Sequence, residues 1–310
     1  MSTFNYDPSK WVPFRDKTVL ERVRRIKKED ITKHPNPEFK IQVVRDPDVE
    51  FIWLSDMFYR IKESDDKDQR VVMILPNPSF TYRKLAHLIN RFSVNCRNLF
   101  VFIMDEYADQ DGNIAPESWP QGFMHQFKKY FYQEIRTELR PPESQICGPT
   151  NANIDSYGHM IADMGGADAC YSGPGWTGHL AFIEPDAPEL QVGLEEWKKL
   201  HARVVTLSPF TIAQNSLHGS FGRSGDLALV PPKAATIGPA EVIGAKYRMD
   251  MNALTIGGTN ISWQRLMTRL VAHGPVTPLV PTSLLQTLPT DFLIAETIAE
   301  DIAPDWTVAY

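Results

Sequence analysis

The sequence has little cysteine, no long apolar run and no signal for export. Its three cysteines (Cys96, Cys147 and Cys170) are an odd number without CxxC or zinc-type spacing, which favours free thiols in a reducing compartment. No apolar run approaches the ~18 residues of a membrane span. The first residues also lack the basic segment followed by an apolar one that marks a signal peptide. We therefore expect a cytoplasmic protein with no membrane partner.

The sequence also has no excess of basic residues. Lys and Arg number 32 against 38 Asp and Glu, which gives a formal net charge of −6. A negative protein repels nucleic acid unless a local basic face overrides the total charge. The most basic segment, residues 22–28, is flanked by Glu21, Glu29 and Asp30. We therefore expect no nucleic-acid partner.

What is present is an alternation of apolar segments typical of an α/β protein. Residues 1–40 are polar and rich in proline, and we interpret them as an N-terminal extension of a single α/β domain over residues 41–310. Apolar residues recur at helical spacing within residues 51–61 and 85–92, and each stretch is followed by a continuous apolar run typical of a buried strand. Strands are predicted at residues 71–75, 99–104, 169–172, 203–207, 234–237, 247–256 and 292–295.

This alternation predicts a doubly wound, mostly parallel sheet with helices on both faces. Ligands of such sheets bind at the carboxyl ends of the strands. Asp105 and Glu106 directly follow the apolar run 99–104. Partial burial there would raise the pKa of a carboxyl group and suit it to take a proton from a carbon next to a carbonyl. The alternative is a structural role as a helix or turn cap.

A glycine-rich loop follows the predicted strand 169–172. Residues 173–185 read GPGWTGHLAFIEP, and the glycines let the backbone approach a ligand closely beside His179. Glu184 lies five residues further on, where it could orient the imidazole or hold it charged. The alternative is a structural histidine. Cys170 and Ser172 lie on the predicted strand itself, and we interpret them as core residues rather than nucleophiles.

Five ordered motifs of the sequence resemble the glucosamine-6-phosphate deaminase/isomerase family, which is related more distantly to 6-phosphogluconolactonases. The resemblance runs from Ile41 to Ala299. It rests on FIMDEY at residues 102–107 (family FNMDEY), residues 173–185 (GxGxDGHIAFNEP), residues 203–216 (RxxTLT…ANS), residues 230–238 (VPxxALTVG) and residues 274–286 (GxVTxxxPxSxLQ).

The resemblance implies the family's α/β fold, a sugar substrate and homo-oligomers, with no metal and no other cofactor. Asp105 matches the base that moves a proton between C1 and C2 of the open-chain sugar. His179 matches the residue that assists opening of the pyranose ring, and Glu184 matches its acidic partner. Such an aldose–ketose isomerisation needs one carboxylate near the α-carbon and a second proton carrier near the ring oxygen.

The sequence departs from the family where the substrate phosphate binds. The family loop LPTGGTP is LPNPSFT at residues 75–81, in which Pro78 removes a backbone donor and Phe80 adds bulk. The family's phosphate-binding arginine aligns with Leu217 and its lysine with Asn260, so both cations are missing. The alternative is that Arg83, Arg223 or Arg265 substitutes for them from a different direction. We therefore expect altered or absent phosphate recognition. The candidate substrate-binding residues are Asn77, Ser79, Thr81, Glu106, Gly175, Trp176, Thr177 and Asn260.

Two of these candidates differ from the family within the glycine-rich loop. Thr177 stands where the family has a third acid, and a hydroxyl cannot supply its negative charge. Trp176 replaces a smaller residue and could either stack on a sugar face or pack against the N-terminal extension. The leading hypothesis is a sugar isomerase or deaminase-like enzyme. A lactonase-like hydrolase, in which His179 activates water, and a non-catalytic sugar-binding regulator remain open.

Overall fold

The computed structural model describes residues 6–76 and 80–307. Seven strands form one sheet in which every pairing is parallel. The apolar runs at residues 71–75 and 169–172 form strands that are buried throughout, so both faces of the sheet are covered there. In spatial order the strands are β1 (Phe39–Val44), β10 (Thr290–Ala295), β9 (Arg248–Asn252), β6 (Ala169–Ser172), β2 (Val71–Leu75), β3 (Leu99–Ile103) and β5 (Ile146–Cys147). The α/β class with a central parallel sheet is confirmed.

A second, antiparallel sheet corrects one part of the sequence prediction. Its spatial order is β4 (Asp105–Ala108), β8 (Lys233–Thr236) and β7 (Arg203–Thr206). We expected the segments 203–207 and 234–237 to join the parallel sheet. They do not, because the chain continues from β3 through Met104 directly into β4, which offers a new edge for β8. Apolar periodicity predicts a strand but does not identify the strand with which it pairs.

Helices pack around these sheets. The helical spacing of residues 51–61 and 85–92 correctly predicted two of them, which bury Trp53, Met57, Leu85 and Ile89. The helices are α1 (Lys17–Arg24), α2 (Asp46–Asp66), α3 (Thr81–Phe92), α4 (Phe123–Tyr130), α5 (Tyr157–Asp163), α6 (Leu194–Trp197), α7 (Pro209–Asn215), α8 (Pro239–Gly244), α9 (Gln264–His273) and α10 (Glu296–Ala299). Within the described residues, no helix combines the length and the apolar character needed to cross a bilayer.

The N-terminal segment packs against helix α9. Helix α1 contacts α9, and Val23 and Ile31 are fully buried. The guanidinium of Arg269 on α9 donates to the carbonyl oxygen of Ile26. Strand β1 begins at Phe39 and pairs with β10, so the edge strand of the sheet starts just before the boundary that we place at residue 40.

Candidate active site

Asp105 lies where the chain passes from the parallel sheet into the antiparallel one. It is the first residue of β4, pairs with Thr236 of β8 and is only 3% exposed. Its Oδ1 accepts a hydrogen bond from the backbone N–H of Phe182 at 3.1 Å. Burial raises the pKa of Asp105 to about 7, against the lowering effects of hydrogen bonds from Thr236 and Phe182 and of the nearby His179. A carboxyl group with a pKa near 7 suits proton transfer at neutral pH.

Glu106 is the neighbour of Asp105 but has a different environment, because side chains of consecutive strand residues point to opposite faces. Its carboxylate accepts the backbone N–H groups of Tyr107, Phe123 and Met124 at 2.9 to 3.0 Å. Two of these donors belong to the first turn of α4, where unpaired N–H groups attract a carboxylate. The described contacts of Glu106 are therefore those of a helix cap, the alternative left open for this pair of acids.

His179 and Glu184 form a buried pair with two threonine hydroxyls. Nδ1 of His179 lies 3.3 Å from Glu184 Oε2, and 3.1 Å from the hydroxyl oxygens of both Thr177 and Thr211. The Thr177 hydroxyl donates to the same Glu184 oxygen at 2.9 Å. We assign the proton of the neutral imidazole to Nδ1, because the Glu184 carboxylate can only accept and the Thr177 proton is already used. Nε2 of His179 is then free to exchange a proton with a ligand.

Two glycines of residues 173–178 allow the imidazole its position. A Cβ on Gly175 would lie 1.9 Å from Nε2 of His179, so a side chain there would occupy the space of the ring. Gly178 has a φ of +79°, a conformation that favours glycine. The sequence therefore needs glycine at both positions to place His179 directly after the loop.

Residues of three other elements form hydrogen bonds with the backbone of this loop. They belong to α9, to α7 and to the 3-10 turn Pro281–Thr287. The hydrogen bonds are Gln264 Nε2 to the Pro174 carbonyl at 2.9 Å, the Trp176 N–H to Gln214 Oε1 at 2.7 Å, and both the N–H and the hydroxyl of Thr282 to the Gly178 carbonyl at 2.9 Å. Such anchoring keeps His179 in one orientation.

Phe182 joins Asp105 to the His179–Glu184 pair. Its N–H contacts Asp105, and its ring packs edge-on against His179 with 5.9 Å between centroids. The turn that carries Phe182 includes Ala181 at a φ of +56°, which is uncommon for a residue with a side chain. The structure thus brings the three predicted catalytic residues into one buried region. Sequence reasoning missed the roles of Phe182 and of Thr211 here, because neither residue type carries a chemical signal by itself.

Proteins of similar sequence are glucosamine-6-phosphate deaminases. No protein-family model matches the chain. The chain is 29% identical over 223 residues to a glucosamine-6-phosphate deaminase of Halothermothrix orenii, which covers 71% of this chain and 81% of the relative. It is also 29% identical over 213 residues to glucosamine-6-phosphate deaminase 2 of Bacillus subtilis, covering 67% and 75% of the two chains. The chain is a divergent relative of glucosamine-6-phosphate deaminases.

Solved structures share the fold. A monomeric glucosamine-6-phosphate deaminase superposes with a TM-score of 0.68 at 20% identity, covering 84% of this chain and 99% of the other. The 6-phosphogluconolactonase of Leishmania guyanensis superposes with a TM-score of 0.60 at 14% identity, covering 86% and 99%. The fold is therefore the one found in both deaminases and lactonases of this kind.

The Thr177 hydroxyl connects His179 to Glu184 at the position where the resemblance places a third acid. It lies between these two side chains and contacts both of them. We expect Thr177→Val to lower stability by about 1–3 kcal/mol, because the substitution leaves buried polar atoms without a partner. It should also reduce turnover. Denaturant unfolding and a rate assay measure both, with Thr177→Ser, which keeps the hydroxyl, as the control. Wild-type behaviour of the valine variant would contradict the bridging role.

Among the described residues, the positions that the resemblance assigns to phosphate binding carry no lysine or arginine. Asn77 and Ser79 lie outside the described residues. The Thr81 hydroxyl, at the start of α3, donates to Glu50 at 2.6 Å, and Asn260 lies in an exposed turn of residues 257–260. No Lys or Arg within residues 6–76 and 80–307 forms an ion pair with Asp105, Glu184 or Glu106.

Within residues 6–76 and 80–307, the aromatic contacts of Trp176 lie outside the N-terminal segment, against which we had expected it to pack as one of two alternatives. Its ring stacks on Trp263 with 5.5 Å between centroids and 17° between planes, and it lies near Phe210. The packing expectation identified the wrong partner because Trp263 directly precedes α9, whose first residue Gln264 bonds to the same loop. Trp176 keeps 39% of its surface exposed.

Other chemically active side chains of the described residues have structural surroundings. No group of three His, Cys, Asp or Glu residues among them is arranged to hold a metal ion. Burial raises the pKa of the Cys170 thiol to about 12, and the Ser172 hydroxyl donates to buried Asp250 at 2.6 Å. The raised pKa of Cys170 and the hydrogen bond of Ser172 are typical of residues in the core of the parallel sheet.

Proposed function

We propose that this protein is a sugar isomerase or deaminase-like enzyme that moves a proton between adjacent carbons of a sugar or amino sugar. The observation that carries the proposal is the buried carboxyl group of Asp105, with a pKa of about 7, joined through Phe182 to the His179–Glu184 pair. The similarity to glucosamine-6-phosphate deaminases supports this chemistry. The proposed substrate lacks the usual phosphate, or its phosphate is held differently.

The proposed reaction has two stages. Nε2 of His179 takes the proton of the anomeric hydroxyl and passes it to the ring oxygen as the bond between C1 and that oxygen breaks, so the pyranose opens to the free aldehyde. Glu184 stabilises the imidazolium whenever His179 carries the proton. Asp105 then removes the proton from C2 and returns it to C1, while the C2 hydroxyl or ammonium group loses a proton and O1 gains one, which converts the aldose to the ketose or, for an amino sugar, to the corresponding imine. Each proton carrier placed in this way contributes ~10²–10⁴ in rate.

Exchange of solvent protons into the sugar tests the proposal. Incubation in D₂O with D-glucosamine and related sugars is expected to place deuterium on carbon, observed by NMR, because Asp105 can exchange its proton before returning it. Acid release from a lactone without such exchange would favour a lactonase-like hydrolase. Binding of sugars without any turnover would favour a regulatory sugar-binding protein. Either result would contradict the isomerase proposal. Homo-oligomers stay a prediction of the resemblance, and a cytoplasmic location stays a prediction from the composition of the sequence.

The pH dependence of this exchange has a defined direction. Asp105 acts as a base only when ionised, so kcat/KM should rise with pH below its pKa of about 7 and become level above it. The hydrogen bond from Thr236 lowers the pKa of Asp105, so Thr236→Val is expected to move the midpoint to higher pH. Steady-state rates from pH 5 to 9 measure both midpoints. A rate that stays level from pH 5 to 9, as expected for an aspartate with the ordinary pKa of about 3.9, would contradict a base with a raised pKa.

A further inference from the structure

The charged side chains around the proposed catalytic residues are acidic. Asp186 lies two residues beyond Glu184, and burial together with the charge of Glu184 raises its pKa. The charged side chains that act on the pKa of Asp105 are those of His179 and Glu106. Neither Lys nor Arg of the described segments forms an ion pair with any of these acids. A phosphate dianion brought here would be repelled, since charges interact strongly where water is excluded.

Two buried acceptors, one on Glu184 beside His179 and one on helix α7, have no donor in the described residues. Glu184 is 1% exposed, and its Oε1 has no hydrogen-bond partner although Oε2 contacts both Thr177 and His179. Asn215 is also 1% exposed, and its Oδ1 has no partner while its Nδ2 donates to Tyr107. Asn215 ends α7, the helix that also presents Thr211 to His179. Buried acceptors need donors, and sugar hydroxyl and ammonium groups are donors whereas a phosphate dianion is not.

Trp176 offers a partly exposed apolar surface on the same loop as His179. It lies between Gly175, which faces the His179 ring, and Thr177, which contacts Glu184. The stack on Trp263 fixes the orientation of the indole, and the hydrogen bond from the backbone N–H of Trp176 to Gln214 Oε1 fixes the main chain that carries it. Aromatic side chains commonly supply the apolar contact area of small-molecule sites while a few polar groups fix orientation.

We propose that the site selects an unphosphorylated sugar, whose hydroxyl or ammonium groups donate to Glu184 Oε1 and Asn215 Oδ1 and whose apolar face packs on Trp176. This inference rests on the proposed function and specifies the substrate class of the same site. Trp176 is then the residue that determines specificity, and it takes over the part of the affinity that phosphate contacts supply in a phosphate-binding relative.

Calorimetric titration of D-glucosamine and D-glucosamine 6-phosphate tests the inference. The free sugar is expected to bind at least about tenfold more tightly than its phosphate, which corresponds to about 1.4 kcal/mol. Trp176→Ala should weaken binding of the free sugar by about tenfold as well, because it removes the apolar contact. Trp176→Phe should keep most of the affinity. Trp11→Ala, which removes a tryptophan that is 63% exposed in the N-terminal segment, is the control and should change nothing.

Three results would overturn the inference: tighter binding of the phosphorylated sugar, unchanged affinity in Trp176→Ala, or no binding of the free sugar. Its failure can be told apart from failure of the proposed function. Deuterium exchange into D-glucosamine 6-phosphate by the wild-type protein would support the isomerase function and overturn the choice of substrate. Binding of D-glucosamine that depends on Trp176 but leads to no exchange would support the choice of ligand and contradict the isomerase function.

Discussion

Replacing Asp105 by asparagine is expected to lower the rate of solvent-proton exchange into the sugar by ~10²–10⁴-fold, the usual contribution of a positioned general base. The amide keeps the size of the side chain, and its oxygen can still accept the N–H of Phe182. What it loses is the ability to take a proton from carbon. Binding of the sugar should therefore change little while kcat falls, which separates a role in chemistry from a role in binding.

Stability measurements exclude misfolding as the cause of this loss. Because burial raises the pKa of Asp105 to about 7, the folded protein holds a proton there that the unfolded chain has already released above about pH 4. The aspartate therefore lowers stability progressively as the pH rises from about 4 to 7. Asp105→Asn should unfold at the same temperature as the wild type or higher at pH 8. Full exchange activity in a folded Asp105→Asn protein would remove Asp105 from the mechanism.

Gly175→Ala is expected to lower the activity by displacing the imidazole of His179. The new Cβ would lie 1.9 Å from Nε2 of His179, so either the imidazole or the loop has to move. Displacing a reacting group by about 1 Å can cost about 10²-fold in rate. Overpacking in a buried region typically costs about 1–3 kcal/mol of stability as well. Rate assays and denaturant unfolding of the variant measure the two effects.

Gly193→Ala provides the matched control for this glycine. A Cβ at Gly193 meets no atom within 4 Å, and the residue needs no left-handed conformation. That variant should keep wild-type activity and stability. If Gly175→Ala behaved in the same way, the close approach of backbone and imidazole would have no functional importance. If both variants lost activity equally, the effect would not be specific to the space occupied by His179.

The sequence predicts the parallel sheet well because its strands are continuous apolar runs. Residues 71–75 and 169–172 form strands with the predicted bounds, and the run 99–104 ends one residue earlier than predicted. Strand β4 was not predicted because its residues include two acids, and two-residue β5 is too short to show a pattern. Both strands exist because neighbouring strands supply their hydrogen bonds, and such partners are invisible in a local pattern.

The candidate site, like the sheets, could be predicted from the sequence only in part. Asp105, His179 and Glu184 could be singled out because carboxylates and imidazole after strand ends carry a chemical signal. The separate environments of Asp105 and Glu106 could not be predicted, because they depend on where α4 begins relative to β4. The Thr211 contact with His179 depends on the packing of a helix about 30 residues away in sequence. Contacts of this kind require the three-dimensional fold.

The donor that holds Asp105 is a main-chain group of Phe182, and this has a consequence for how the protein can change over evolution. Ordinary side-chain substitutions at position 182 leave that N–H in place, and proline alone removes it. The orientation of the carboxylate is thus tolerant of mutation, whereas the aromatic surface at Trp176 can be altered by a single substitution. A substitution at Trp176 can therefore change the proposed ligand preference while the hydrogen bond that orients Asp105 is kept.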